Sequence, residues 1–184
     1  MLAHTLPNHR GFTLTELMLV MGLTAVVAGI AVPVTRHATD GMRLDLAGRE
    51  VERQLQTARL RSVSTNRPFI LRLNCPATGQ TRVVEVTGVQ ATDSDGNRCD
   101  ETRFPFPGPR DADRATPAHD GPVRRVHSSV AISGSDIQFS PDGTTQEVAG
   151  SSARPISTPV GLTVSRAGEA TTVIVNGLGK ISIQ

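Results

Sequence analysis

The apolar positions of this chain follow three spacing rules in three stretches. From Leu17 to Thr35 apolar residues stand on every side, and no charged residue interrupts them. At about 1.5 Å of rise per residue, a helix of that length spans roughly one hydrocarbon core. Further on, Leu44, Ala47, Val51, Leu55 and Ala58 recur at three and four residues. Arg43, Asp45, Arg49, Glu50, Glu52 and Arg53 lie between them. That spacing predicts an amphipathic helix with one buried stripe. The two patterns join into one predicted helix from about Phe12 to about Ser64, ended by Asn66-Arg67-Pro68. Pro33 inside it removes a backbone hydrogen bond and predicts a kink. Gly22 and Gly29 permit close approach of other helices.

After Pro68 the period changes to short β-type runs. Strands are expected at 69–74 and 81–90, with a weaker one at 123–132. Strands at 136–140 and 144–148 flank the turn tripeptide Pro141-Asp142-Gly143. Strands at 160–166, 171–175 and 180–183 complete the set, with tight turns at Gly168-Glu169 and Asn176-Gly177. Residues 91–122 are polar, rich in Pro, Asp and Arg, and lack periodicity. They read as a long, partly mobile loop. The predicted class is α+β: a long N-terminal helix on an antiparallel β domain.

Composition narrows the function. The chain has 184 residues, no Trp, no Tyr and five Phe, so its core must rest on Val, Ile and Leu. The formal charge of +2 is no electrostatic footprint for nucleic acid or anionic membrane. Nucleophile-elbow, phosphate-loop and zincin motifs are missing, so the chain reads as a non-enzyme that needs no cofactor. His37, His119 and His127 stand apart in sequence and are expected to be exposed.

One acid stands out. Glu16 sits at the start of the apolar run, after a leader that carries Arg10 and two histidines and ends in Gly11. A carboxylate costs about 2.5–3.5 kcal/mol at bilayer centre on insertion scales, and less near an interface. A secretory signal peptide cut near Ala31 would fit Gly29-Ile30-Ala31, but Glu16 would interrupt its apolar core. A plain single-span anchor explains the length and leaves the ordered Gly11-Phe12-Thr13-Leu14-Thr15-Glu16 string unexplained.

That string resembles the N-terminal signature of type IV pilin-like proteins. Thr15 departs from the Ile or Leu usual there, and the cleavage residues match. The resemblance implies cleavage by prepilin peptidase between Gly11 and Phe12, with N-methylation of Phe12. The new amine and Glu16 would stand four apart on one helix face. Glu16 can then pair with its own N-terminus or a neighbour's during filament assembly. Near the other end, IQFSPDGT and then GLTVSRAGEATTVIVNGLGKISI resemble the close of the GspH/FimT family of minor pilins and pseudopilins. Phe139, Pro141, Gly143, Gly179 and Lys180 carry that match.

The resemblance implies a lollipop plan. Its parts are a leader at 1–11, a transmembrane and assembly helix at 12–35, an amphipathic continuation at 36–66 and a periplasmic β-rich domain at 67–184. It implies a single-pass inner-membrane protein whose partners are other pseudopilins or minor pilins, prepilin peptidase and the inner-membrane assembly platform. Type II secretion is the reading taken first, with type IV pilus assembly as the alternative.

Cys75 and Cys99 fall in the exported part, where the compartment is oxidising and a disulfide is expected; two free thiols are the alternative. The closed loop would contribute about 3–4 kcal/mol on the chain-entropy model. His119 and His127 have no zinc spacing relative to these cysteines. Asp93, Asp95 and Asn97, followed by Asp100 and Glu101, could offer oxygens to calcium, but the distal glutamate spacing of a full calcium loop is missing and an Asp-Gly turn in a solvated loop is the reading taken first, with no metal expected. Some FimT-like pilins bind DNA through a basic C-terminal tail. Here Lys180 alone remains of that tail, with Arg59, Arg61, Arg124 and Arg125 elsewhere, and DNA binding is not expected.

Overall fold

A computed structural model describes residues 11–108, 117–127, 129–150 and 152–184, without the side chains of 32–34, 36, 37 and 90. The expected leader up to Arg10, part of the 91–122 loop and the His37 side chain lie outside the described residues. The chain divides into two units, Met1–Thr39 and Asp40–Gln184.

Helix α1 spans Leu14–Thr65. It starts where Thr13 can cap it. The Thr13 Oγ1 accepts the Glu16 N–H at 3.2 Å, and the Thr13 carbonyl accepts that of Leu17 at 3.2 Å. This corrects the expected start at Phe12. Phe12 lies ahead of the cap, so in the uncut chain it is no i, i+4 neighbour of Glu16 on a helix face. The other end is a Schellman-type stop. Asn66 turns to a φ of +52°, and the Arg67 N–H reaches back to the Ser62 carbonyl at 3.2 Å.

In the second unit the stripe Leu44, Ala47, Val51, Leu55 and Ala58 is buried, as its spacing predicts. Ser62 extends it, donating to the Phe139 carbonyl at 3.0 Å. The stripe shares one core with Phe69, Leu71, Ile137, Phe139, Leu162, Val164, Val173 and Val175, which come from two sheets.

Among the described residues ten strands form these sheets: β1 Phe69–Leu73, β2 Gln80–Glu85, β3 Arg124–Arg125, β4 Ala131–Ser133, β5 Asp136–Phe139, β6 Thr145–Ala149, β7 Ser152–Pro155, β8 Val160–Arg166, β9 Glu169–Val175 and β10 Ile181–Ile183. One sheet runs β3-β2-β1-β5-β6-β7 and the other β10-β9-β8-β4. Every pairing is antiparallel. Buried Thr145 links the two sheets, with its Oγ1 donating to the Asn176 carbonyl at 2.6 Å and its N–H to that of Gly177 at 3.1 Å.

Several sequence expectations shift here. The strand expected at 81–90 stops at Glu85, because Thr87 and Gly88 donate their N–H groups to Asp93 instead. The 123–132 strand divides into β3 and β4, which join different sheets. The β8–β9 turn centres on Ala167 and Gly168, both at positive φ, one residue before the expected pair. Edge strand β7, the short helix α2 at Gln90–Asp93 and a 3-10 turn at Gly96–Cys99 carried no readable period.

A candidate membrane-anchoring and assembly segment

Within α1, Leu14–Ala31 has a mean hydropathy of 2.0, long and apolar enough to cross a membrane. All of its residues are exposed. A water-soluble protein does not leave so wide an apolar surface bare without a partner for it. The polar groups inside the run are masked locally. The Thr24 hydroxyl donates to the Met21 carbonyl at 3.0 Å, and that of Thr35 to Ala31 at 2.8 Å. Such back-bonding lets a hydroxyl enter a nonpolar medium without an unmet donor.

Glu16 is different. Its backbone N–H is capped by Thr13, but its exposed carboxylate meets no hydrogen-bond or ion-pair partner among the described residues. An acid in the first turn gains from the helix dipole, a contribution of about 0.3–1 kcal/mol. That is smaller than the cost of placing the charge deep in an apolar medium. No contact among the described residues supplies the remaining compensation. Gly11 and Phe12, immediately before the cap, are exposed and non-helical.

The remaining candidate residues lie in the second unit. Cys75 and Cys99 are disulfide-bonded, with their Cα atoms 5.1 Å apart. The calcium candidates are used internally. Asp93 accepts from Thr87 and Gly88, and Asp95 accepts from Asn97 and faces Arg103 at 3.4 Å. The Asn97 N–H holds the Asp95 carboxyl below the usual carboxylate range. No group of three or more His, Cys, Asp or Glu able to hold a metal occurs among the described residues. His119 is exposed and His127 half-buried.

Lys180 is exposed just before β10, whereas Arg124 and Arg125 form β3 of the other sheet. Arg59 is drawn to the β9–β10 turn, donating to the Gly179 carbonyl at 3.0 Å.

The described parts of the 91–122 segment, 91–108 and 117–122, are held far more firmly than their polarity suggests. Arg98 is fully buried and donates to both oxygens of Asp120, at 2.7 and 3.2 Å, and to the Glu85 carbonyl at 2.7 Å. The Phe104 ring covers its guanidinium, whose carbon lies 5.3 Å from the ring centroid. Arg82, also buried, donates to the carbonyls of Gly121, Arg98 and Phe104 at 2.6–2.8 Å. Glu85 pairs with Arg67 and accepts the N–H groups of Ala118 and His119. None of these residues shows a role in the sequence, because each partner lies far along the chain and no period links them.

No curated protein sequence matches the chain. In fold it is similar to the type IV minor pilin FimU of Pseudomonas aeruginosa, at 14% identity over 79% of this chain and 91% of that one, with a TM-score of 0.48. It is also similar to the minor pseudopilin EpsH from the Type 2 Secretion System of Vibrio cholerae, at 10% identity over 77% and 96%, with a TM-score of 0.44. Residues 6–32 match the family model described as the prokaryotic N-terminal methylation motif. That match spans Gly11, Phe12, Glu16 and the apolar run, so the N-terminal segment carries the methylation motif of type IV pilin-like proteins.

Proposed function

We propose that this chain is a minor pilin-like subunit of the GspH/FimT type that acts by packing into a filament. It is made with its apolar helix in the inner membrane, cut between Gly11 and Phe12 and methylated on Phe12. It is then drawn into a type II secretion pseudopilus. The observation that carries this reading is the combination at the N-terminus: a methylation motif on an apolar helical run that is charge-free from Leu17 and exposed on every side, opened by one carboxylate, Glu16, without a partner among the described residues. In lipid that surface is solvated by acyl chains, and in a filament by sister helices. Glu16 then answers the amine created by cleavage, so burial leaves no isolated charge.

Intact mass spectrometry of the membrane-extracted protein, from cells with prepilin peptidase, tests the processing. The expected species begins at methylated Phe12; a start at Met1 or after Ala31 overturns it. Glu16→Ala should still insert and fold while losing co-purification with sister subunits, since removing the acid lowers the insertion cost. Deletion of the gene should stop export of secreted enzymes and spare surface pili. The opposite result assigns the chain to a type IV pilus.

A further inference from the structure

The second unit leaves one strand edge beside an open apolar groove. Strand β10 is the outermost strand of the four-stranded sheet. Gln184 and Thr172 exchange both backbone hydrogen bonds, at 2.9 and 3.0 Å, and the Asn176 N–H reaches the Lys180 carbonyl at 3.1 Å. In an antiparallel ladder, paired and unpaired positions alternate. Lys180, Ser182 and Gln184 therefore face β9, and the N–H and C=O groups of Ile181 and Ile183 face the free edge.

Along that edge runs a groove of about 490 Å³ between β10 and the last turns of α1. Its apolar walls are Leu60, Val63 and Leu178, which are 69%, 55% and 77% exposed. Its two titratable lining groups are cations, Arg59 and Lys180. Arg59 is locked onto the turn by the Gly179 and Leu178 carbonyls, at 3.0 and 3.4 Å. Gly179 makes that approach possible: it holds a φ of +72°, and a Cβ there would stand 3.0 Å from the Arg59 Nε. Lys180 has no ion-pair partner among the described residues.

We propose that this groove receives an extended segment of a partner polypeptide, added to β10 as a fifth strand. Backbone groups of Ile181 and Ile183 pair with the incoming strand. Its alternate apolar side chains cover Leu60, Val63 and Leu178, and a carboxylate on it meets Lys180 and Arg59. Edge strands with free donors and acceptors recruit partners this way, the backbone supplying affinity and alternate pockets supplying selectivity. The cationic rim selects an acidic strand over a basic one. The inference stands on the second unit alone and does not depend on the filament reading.

The test uses the full chain in lipid nanodiscs and a defined probe, an octapeptide alternating Val and Thr with one Asp. Hydrogen exchange should slow at the Ile181 and Ile183 amides on peptide addition, with Ser182 already protected before it. N-methylation of the peptide at alternate residues, tried in both registers, should weaken binding at least about tenfold in one register. Lysine in place of the peptide's aspartate should weaken binding, and Lys180→Glu should reverse that preference.

No binding, equal binding of methylated and unmethylated peptides, or unchanged exchange at Ile181 and Ile183 overturns the proposal. Protection of those amides without peptide, rising with protein concentration, assigns the groove to a second copy and overturns it as well.

Discussion

The apolar run of α1 and the interior of the second unit treat difficult groups in opposite ways. In Leu14–Ala31 nothing is buried, and the carboxylate of Glu16 has only its own backbone capped. In Asp40–Gln184 even guanidinium groups are fully enclosed, and each finds its acceptors within the chain. The second unit therefore answers its buried guanidinium groups from within. The first is a wide apolar surface on which every residue of Leu14–Ala31 is exposed. Under the proposed function, a folding requirement and an assembly requirement lie in separate parts of one polypeptide, and mutations should separate them.

The largest effect is expected at the buried charges. Asp120→Ala removes the closer counter-ion of enclosed Arg98, leaving only Asp93 at 3.5 Å, and should destabilise the second unit by about 3–5 kcal/mol. Chemical denaturation of the full chain measures this; a loss below about 1 kcal/mol would mean that water reaches Arg98 and the polar interior is open.

Next comes the apolar stripe. Leu55→Ala opens a cavity where Leu55 is completely buried, and should cost about 2–5 kcal/mol in the same assay.

A smaller change follows at Asp136. Burial pushes its carboxyl above the ordinary range, against the Leu73 N–H and nearby Arg72, which favour the anion. A raised folded pKa means the native state binds the proton more tightly than the unfolded chain does. Stability therefore falls as pH rises from the unfolded Asp value through the folded one, and the penalty is complete above it. Asp136→Asn keeps an acceptor for Leu73 and removes the charge. Thermal melts at pH 7 should place the variant at or above wild type. The advantage should fade below about pH 4, where unfolded Asp protonates. A variant that melts lower at pH 7 would show that attraction to Arg72 outweighs burial.

The smallest effect on folding is expected in the first unit. Leu23→Ala removes an exposed side chain and should leave the denaturation midpoint of the second unit unchanged. A shifted midpoint would show that the two parts are not energetically separate.

These contrasts explain what could be read in advance. The helix and its stripe were legible because one face of a regular element, repeated over several turns, leaves a period in the sequence. Strands β1, β5, β6, β8 and β9 were legible through β-branched runs and through the turn chemistry of Pro141-Asp142-Gly143. Asp142 indeed caps that turn, accepting from the Thr144 N–H at 2.9 Å. Strand β7 was not legible: it is exposed throughout and has no buried face to set a pattern. The 91–122 segment misled for a related reason. Polarity and missing periodicity ordinarily mean solvent, yet here Arg98 and Asp120 are polar because they satisfy one another inside the protein.

The sequence by itself determined the ends of the problem. A charge-free run, a single acid at Glu16 and the Gly11-Phe12 junction are local facts, and each constrains chemistry wherever the rest of the chain goes. Only the tertiary structure decided how the middle is held. It gathered Arg82, Glu85, Arg98 and Asp120 from separate segments, split 123–132 between two sheets and left the β10 edge open beside Leu60 and Leu178. The physical reason is distance along the chain. Periodicity and capping report on neighbours within a turn or two, whereas a buried ion pair or an unpaired strand edge depends on which distant segments fold against each other.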